Sequence, residues 1–383
     1  MISIVDHRET VAAQAAAVAS AWSPPDAPPG WWLTAETFRA IAQDDVLLDL
    51  AAAIPADRLP ALLISAAIRY RMALTRPEPL TGYYPVPGGA RQPPADAGFR
   101  PALREFAAAE ATELAQLCAR HRYQMNEVGR CLDVLPVLGV VAAADPRPIA
   151  LVDLGTGAGL GLHLDRYAYH YELAGGGELV SGDRASPVRL SGRVRSGHPP
   201  VPPGPPPLAH RVGVDTESLT LTDQDTVDWL AACVPPELGA VTRFAAAVEV
   251  ARAHPAPTVR GDLLEVLPQV LAELPADVLV CLVDTYVHVF LPPERLAAFH
   301  RLVERVGGER DLDWISIDPL VPLGPEATAT VQGLEVAPEW LRDNREGGVF
   351  GVIGRVGFRG GVRTASVYGR AHPGAAWLDW TAD

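Results

Sequence analysis

The sequence predicts an α/β protein in which a mostly parallel, doubly wound sheet follows a helical N-terminal domain. Five apolar runs of strand length alternate with helical segments between residues 149 and 318, and such alternation is typical of parallel sheets built from βαβ units. Two further runs, 348–358 and 362–370, flank Arg359-Gly360-Gly361 and predict a terminal antiparallel hairpin. We therefore expect a helical domain over residues 1–145 and a sheet domain over residues 146–383.

Helical spacing of apolar residues predicts each element of the N-terminal domain. The breaker Ser23-Pro24-Pro25 ends the first helix, and Thr34 opens a segment whose hydroxyl residues can cap the second. The predicted helices cover residues 11–22, 34–47, 59–74, 102–119 and 132–143. The last of them leads directly into the first strand.

The strands of the sheet domain are short apolar runs that end in or near an acid, and helices separate them. The strands are predicted at 149–154, 210–215, 257–262, 277–284 and 312–318, and the helices at 160–167, 227–233, 263–274 and 293–306. Residues 168–209 interrupt this order with short alternating runs and a proline-rich stretch. We expect them to form an inserted β-hairpin and an exposed loop, and to fold over the active-site edge.

Composition limits the partners and the compartment. The net charge of −14 disfavours nucleic acid as a partner, because neutralising phosphates requires a basic face. No apolar run reaches the roughly 18 residues that cross a membrane, and residues 1–9 lack the pattern of a signal peptide. Four cysteines without a CxxC pair favour a reducing environment. We therefore expect a cytoplasmic protein with no membrane partner; composition leaves the oligomeric state open.

The chain contains no lysine, so all 32 basic residues are arginine. Schiff-base enzymes, P-loop NTPases and protein kinases each need a lysine, and the sequence excludes these sites as they are ordinarily built. The ten histidines show no HxH or HExxH spacing, so the sequence predicts no metal site.

A glycine-rich turn follows the first predicted strand. Glycines occupy positions 155, 157, 159 and 161, where the backbone must turn sharply or approach a ligand. The dinucleotide spacing G-x-G-x-x-G fails in every register, because Leu160, Leu162 and Leu164 stand where its last glycine is needed. The alternative to a ligand-binding turn is a strand-to-helix turn without a ligand.

The run from Val152 to Gly159, apolar-Asp-Leu-Gly-x-Gly-x-Gly, resembles motif I of the class I S-adenosylmethionine-dependent methyltransferases. Over most of its length the chain also resembles an uncharacterised bacterial domain-of-unknown-function family of methyltransferase type. The segments that carry this resemblance are 124–131, 153–171, 211–217, 229–236, 259–262 and 283–292. One departure is Gly161-Leu162, where that family usually has Asn-Leu. The resemblance implies a Rossmann-like class I methyltransferase sheet with S-adenosylmethionine as cofactor, and it supplies no substrate.

The resemblance also implies which residues bind the cofactor. The acid at the end of the second strand, Asp215, would accept hydrogen bonds from the ribose hydroxyls, and Asp262, after the third strand, would contact the adenine amino group. Asp153 would order the glycine turn. The cofactor-binding candidates are Asp153, Gly155, Thr156, Gly157, Gly159, Asp215 and Asp262.

Residues that follow the fourth strand face the transferring methyl group in that fold, which nominates Asp284, Tyr286 and His288 as catalytic residues. His288 is a candidate general base, although a histidine at this place is more often structural. On the substrate side the candidates are Asn126, Arg130, Arg166 and Tyr167. Asn126 and Arg130 lie four residues apart, so a helix would present them on one face; the alternative is a capping and salt-bridge cluster.

Together these features predict a methyltransferase that acts on a small molecule, preferably one whose carboxylate an arginine can bind. Two alternatives stay open. One is an enzyme that uses the same cofactor for cyclisation or aminocarboxypropyl transfer. The other is a methyltransferase-fold protein without catalysis that serves as a binding module.

Overall fold

The computed structural model of the 383-residue chain describes residues 4–23, 32–84, 96–217, 219–321 and 330–382. By its internal contacts the chain divides into two units, Met1–Asn126 with Thr222–Ala245, and Glu127–Leu221 with Ala246–Asp383. This division differs from the sequence boundary at residue 145. Residues 127–145 group with the sheet, and residues 222–245 group with the N-terminal helices.

Twelve α-helices lie within the described ranges: α1 (Ile4–Ala21), α2 (Leu33–Gln43), α3 (Asp45–Ala52), α4 (Pro60–Thr75), α5 (Phe99–Ala109), α6 (Ala111–Arg120), α7 (Cys131–Ala144), α8 (Gln224–Cys233), α9 (Ala240–Ala253), α10 (Leu263–Glu273), α11 (Pro293–Glu309) and α12 (Pro338–Arg345). The same ranges contain thirteen β-strands: β1 (Ile149–Leu154), β2 (Ala168–Leu173), β3 (Glu178–Gly182), β4 (Arg189–Ser196), β5 (Leu208–Asp215), β6 (Thr258–Arg260), β7 (Leu279–Thr285), β8 (Leu312–Asp318), β9 (Thr330–Val331), β10 (Leu334–Glu335), β11 (Gly351–Arg359), β12 (Val362–Ala371) and β13 (Trp377–Trp380).

The helix predicted over 34–47 is divided in the structure. Asp44 is extended, with φ −97° and ψ 124°, and its carboxylate accepts hydrogen bonds from the N–H groups of Val46 and Leu47. An aspartate in this conformation is a strong N-cap, so it ends α2 and begins α3. Thr34 lies inside the first turn of α2 and does not cap it. Its N–H and its hydroxyl donate to the buried carboxylate of Glu237 at 2.5 and 2.6 Å.

The large sheet of the second unit runs in the order β3-β2-β4-β13-β12-β11-β8-β7-β1-β5-β6. The five strands β6, β5, β1, β7 and β8 are parallel, whereas β11 is antiparallel to both β8 and β12. The α/β class is therefore confirmed, with a large, mostly parallel mixed sheet. A separate two-stranded hairpin is formed by β9 and β10.

The inserted residues between β1 and β5 form β2, β3 and β4. The first two pair as the predicted antiparallel hairpin, and β4 pairs in parallel with both β2 and β13. The insertion therefore extends the same sheet beyond its C-terminal strands, where the sequence suggested a flap over the active-site edge.

A continuous apolar core covers one face of the parallel strands. Val152, Leu282 and Trp314 project from β1, β7 and β8 into this core, and Phe299 of α11 packs on them. Each fully buried side chain of this size contributes about 1.5–3 kcal/mol to stability. None of the helices within the described ranges combines the length and the hydropathy needed to cross a bilayer.

Candidate functional site

The candidate site lies where the carboxyl ends of β1, β5 and β7 meet. Leu154, the last residue of β1, pairs with Val214 of β5 on one side and with Asp284 of β7 on the other. In the sheet, β5 and β6 lie on one side of β1, whereas β7 and β8 lie on the other. In open α/β sheets, ligands bind in the crevice at such a reversal of strand order.

The glycine turn after β1 has a backbone that only glycine adopts readily. Gly155, Gly157 and Gly159 have φ values of 65°, 54° and 71°, in the left-handed region that L side chains rarely occupy. A Cβ on Gly155 would also lie 2.8 Å from Cγ2 of Val287, so this glycine packs directly against the segment after β7.

Asp153 and Thr156 brace the turn. The Thr156 hydroxyl donates to Oδ2 of Asp153 at 2.7 Å. Burial raises the pKa of Asp153 to about 7, and the nearby Asp215 carboxylate adds to the increase, whereas the Thr156 hydrogen bond opposes it. Asp153 is thus tied to the turn and changes charge near neutral pH.

Asp215 connects the glycine turn to β5. Its Oδ2 accepts from the N–H of Gly157 at 2.8 Å, and its Oδ1 accepts from the N–H of Glu217 at 3.0 Å. The side chain is half-buried. The Thr216 hydroxyl also donates to Oδ1, at 3.4 Å. A carboxylate has about four acceptor positions, so these three bonds leave room for about one hydroxyl of a ligand.

Asp262 is engaged in structural contacts. It is the N-cap of α10, where Oδ1 accepts from the N–H of Leu264 at 2.9 Å, and its Oδ2 forms an ion pair with Arg295. Both oxygens therefore have protein partners, and the predicted contact with an adenine amino group would compete with them.

Tyr286 follows β7 in a strained conformation. Its φ is 60°, which costs a non-glycine residue about 1–2 kcal/mol. The guanidinium of Arg130 lies 4.3 Å from the ring centroid. The buried hydroxyl has no hydrogen-bond partner among the described residues, and burial raises the pKa of Tyr286. Strain of this kind is concentrated at functional sites.

Arg130 reaches the end of β7, but not from a helix shared with Asn126. Residues 121–127 are not helical and α7 begins at Cys131, so the prediction of one helical face is wrong. Arg130 is buried, and it donates to the carbonyls of Pro373 and Thr285 at 3.1 and 3.5 Å. Asn126 falls in the other unit of the chain, where its Nδ2 donates to the Gln124 carbonyl at 3.3 Å.

The remaining substrate-side candidates differ in accessibility. Tyr167 is completely buried, and its hydroxyl donates to the Leu160 carbonyl at 2.6 Å, closing the 3-10 turn Leu160–Arg166. This gives Tyr167 a structural place that no substrate can reach without rearrangement. Arg166 is half-buried, and its Nε has no hydrogen-bond partner in the described part of the chain.

A buried polar cluster brings two of the predicted catalytic residues together with a third residue that the sequence did not indicate. Asp284, His288 and Asp318 place one ligand atom each within 4.8 Å of the others. Nε2 of His288 lies 3.4 Å from Oδ1 of Asp284, and its Nδ1 lies 3.7 Å from Oδ2 of Asp318. Asp318 ends β8, so the pattern of acids at strand ends would have identified it.

Two N–H groups orient the carboxylates of this cluster. The Trp314 indole donates to Oδ2 of Asp284, and the backbone N–H of His288 donates to Oδ1 of Asp318 at 2.7 Å. Burial raises the pKa of Asp284 well above its usual range, and the carboxylate of Asp318 raises it further. The site therefore favours a proton or a cation between the two acids.

Trp314, whose indole donates to Asp284, also lines a cavity of about 210 Å³. Its lining includes His300 and Glu304 of α11, Gln332 and Arg363. The Gln332 amide donates to the Ser316 hydroxyl at 2.7 Å. Buried polar atoms of His300 (Nε2) and Gln332 (Oε1) lack hydrogen-bond partners among the described residues.

Comparison with known proteins identifies the family. The family model DUF2332, described as "uncharacterized protein conserved in bacteria", matches residues 9–380. No curated protein matches the sequence. The resemblance to a bacterial domain-of-unknown-function family is thus confirmed, while its relation to methyltransferases stays a prediction. Because the match spans nearly the whole chain, the protein belongs to the bacterial family DUF2332.

Proposed function

We propose that this protein is an S-adenosylmethionine-dependent methyltransferase with a Rossmann-like class I sheet, acting on a small molecule. The observation that carries the proposal is the glycine turn at the reversal of strand order, with Asp215 bonded to its Gly157. In α/β proteins, a glycine turn and an acid at this edge of the sheet are typical of nucleotide sites.

The residues present fit an adenosyl group in part. Asp215 is half-buried and keeps about one acceptor position, and the absence of a side chain at the half-buried Gly157 lets a ligand approach the backbone. Asp262 fits its proposed role less well, because the charged guanidinium of Arg295 already pairs with its Oδ2. Asp215 and the glycine turn would therefore hold the cofactor, with Asp153 and Thr156 bracing the turn from within the protein.

The cofactor would supply a methyl group on a sulfonium, and the protein would mainly position the acceptor beside it. Asp284, near the end of β7, and Tyr286 and His288, which follow it, are the proposed catalytic residues because this end of β7 lies beside the glycine turn. If the acceptor is a hydroxyl or an amine, His288 is the proposed general base. Arg130, stacked on Tyr286, is the proposed contact for a substrate carboxylate.

Calorimetry with S-adenosylmethionine and S-adenosylhomocysteine tests cofactor binding. Asp215→Asn keeps an acceptor for the Gly157 N–H but weakens the bonds to ribose hydroxyls, and hydrogen bonds to a charged group contribute about 1.5–3 kcal/mol. We expect at least about tenfold weaker binding. Asp262→Asn and the exposed control Asp277→Asn should retain the wild-type affinity. Absence of binding to the wild type, or undiminished binding to Asp215→Asn, would refute the cofactor assignment.

The alternatives differ in the product that they release. A methyltransferase converts the cofactor to S-adenosylhomocysteine, whereas aminocarboxypropyl transfer leaves methylthioadenosine. Incubation with labelled cofactor and a small-molecule extract, followed by mass spectrometry, distinguishes the two. Binding without either product would favour a binding module.

A further inference from the structure

We propose that Asp284, His288 and Asp318 form a binding site for one divalent ion of the first transition row, with Zn²⁺ and Mn²⁺ as the best candidates. This inference does not rest on the proposed methyltransferase function. An ion bound to Nε2 of His288 would take the place of the general-base role proposed above for that residue. The spacing of the histidines in the sequence did not indicate this site.

The distances between the ligand atoms are the first observation that supports a metal site. Ligands about 2.1 Å from a tetrahedral ion lie about 3.4 Å from one another. Nε2 of His288 and Oδ1 of Asp284 are 3.4 Å apart, which is long for a hydrogen bond. One ligand atom from each of the three residues falls within 4.8 Å of the others, so the Asp318 carboxylate would have to rotate towards the ion to complete a three-ligand site.

The hydrogen bonds around the cluster carry the second step. Each carboxylate has one oxygen held by an N–H group, from Trp314 or from the His288 backbone. The other oxygens, Oδ1 of Asp284 and Oδ2 of Asp318, and also Nε2 of His288, receive no donor from the described residues while both acids are charged. Carboxylates and imidazoles that bind metals are oriented by such outer partners, with one atom left for the ion.

Burial and charge carry the third step. Asp284 is 0% exposed, Asp318 4% and His288 8%. Buried polar atoms without partners are rare and costly. The rings that pack on His288 from α11 and β8 belong to Phe299, His300 and Trp314, and they bring no permanent positive charge. A divalent cation would neutralise the two carboxylates.

The ligand set indicates the class of ion. Imidazole suits Zn²⁺, iron and copper, whereas carboxylates also suit Mn²⁺ and Mg²⁺. Mg²⁺ prefers oxygen ligands and keeps most of its water, which a buried site with a histidine does not favour. The competing arrangement is a proton shared by the carboxylates of Asp284 and Asp318, which lie in the same buried cluster.

Titration calorimetry on tag-free, chelator-treated protein tests the site without any S-adenosylmethionine. We expect the wild type to bind one equivalent of Zn²⁺ or Mn²⁺, and to bind Mg²⁺ at least tenfold more weakly. Asp318→Asn and His288→Gln should each lose at least tenfold in affinity. Asparagine is isosteric with aspartate and removes a buried charge, so Asp318→Asn should fold, and circular dichroism checks this.

His170→Gln is the matched control, because His170 also lies 2.8 Å from an acid, Glu178, but on the surface. It should bind the ion like the wild type. Two results would overturn the proposal: no stoichiometric binding to the wild type, or wild-type affinity in both Asp318→Asn and His288→Gln. The first result would support the shared proton. Neither result depends on whether S-adenosylmethionine binds, so the two proposals can fail separately.

Discussion

The surroundings of Asp153 predict both the sign and the magnitude of a pH-dependent change in the free energy of unfolding. Burial raises its pKa from 3.8 to about 7, so the folded state holds a proton that the unfolded chain releases. Stability that is present at pH 4 is therefore lost as the pH rises towards 7. Asp153→Asn keeps an acceptor for the Thr156 hydroxyl and removes the charge.

The size of the effect follows from that change in pKa. One pKa unit corresponds to about 1.4 kcal/mol, so the full penalty on the charged form is about 4 kcal/mol. Asp153 is not fully buried, and solvent screening reduces this to about 2–4 kcal/mol. We expect Asp153→Asn to match the wild type near pH 4 and to exceed its free energy of unfolding by this amount at pH 8.

Urea denaturation at pH 4 and pH 8 measures this difference. Asp311→Asn is a control of opposite sign in the same unit, because the Gly360 N–H and Arg147 lower the pKa of Asp311. The ionised Asp311 side chain stabilises the fold at pH 8, and this contribution decreases below pH 4. Asp311→Asn should therefore be less stable than the wild type at pH 8. Two results would refute the reasoning. In one, Asp153→Asn is less stable than the wild type at pH 8; in the other, the variant and the wild type differ in free energy of unfolding by the same amount at both pH values.

Two more predictions concern the loops beside Asp153. Gly155→Ala should lower the free energy of unfolding by at least about 1–2 kcal/mol, because the φ of Gly155 is 65° and the new methyl group would meet Val287. Gly175 has open space around it, so Gly175→Ala should change the free energy of unfolding by less than about 0.5 kcal/mol in the same urea assay. Tyr286→Phe should leave stability unchanged or raise it by up to about 1 kcal/mol, because its buried hydroxyl lacks a partner, and a clear loss in thermal denaturation would show that this hydroxyl makes an essential bond.

Much of the sheet could be predicted because its signals are local. The strand and glycine turn at 149–159 and the terminal hairpin around Gly360 and Gly361 combine apolar runs with residues that the turns require. The acids at strand ends indicated the edge where Asp215 and Asp284 lie, because parallel strands present their carboxyl ends together.

The parts that the sequence did not predict depend on contacts distant along the chain or on competition between local signals. The break at Asp44 follows from its capping geometry, which apolar spacing does not show. The grouping of residues 222–245 with the N-terminal helices rests on long-range contacts, such as the Tyr70 hydroxyl donating to Asp225.

The buried cluster illustrates the same limit at the site. His288 and Asp318 are separated by 30 residues and a helix, α11, so no short motif links them. Only the pairing of β7 with β8 brings Asp318 beside the residues that follow β7. The acids at the ends of β7 and β8 indicate Asp284 and Asp318, whereas His288 follows β7 by three residues and carries no such signal.

The most direct test of the central claim is a crystal structure of the protein soaked with S-adenosylmethionine or S-adenosylhomocysteine. We predict ligand density above the Gly155–Gly159 turn, with the ribose hydroxyls within about 3.2 Å of the Asp215 carboxylate. Ligand density at another place, or no density at a millimolar soak in crystals whose turn is open to solvent, would contradict the assignment.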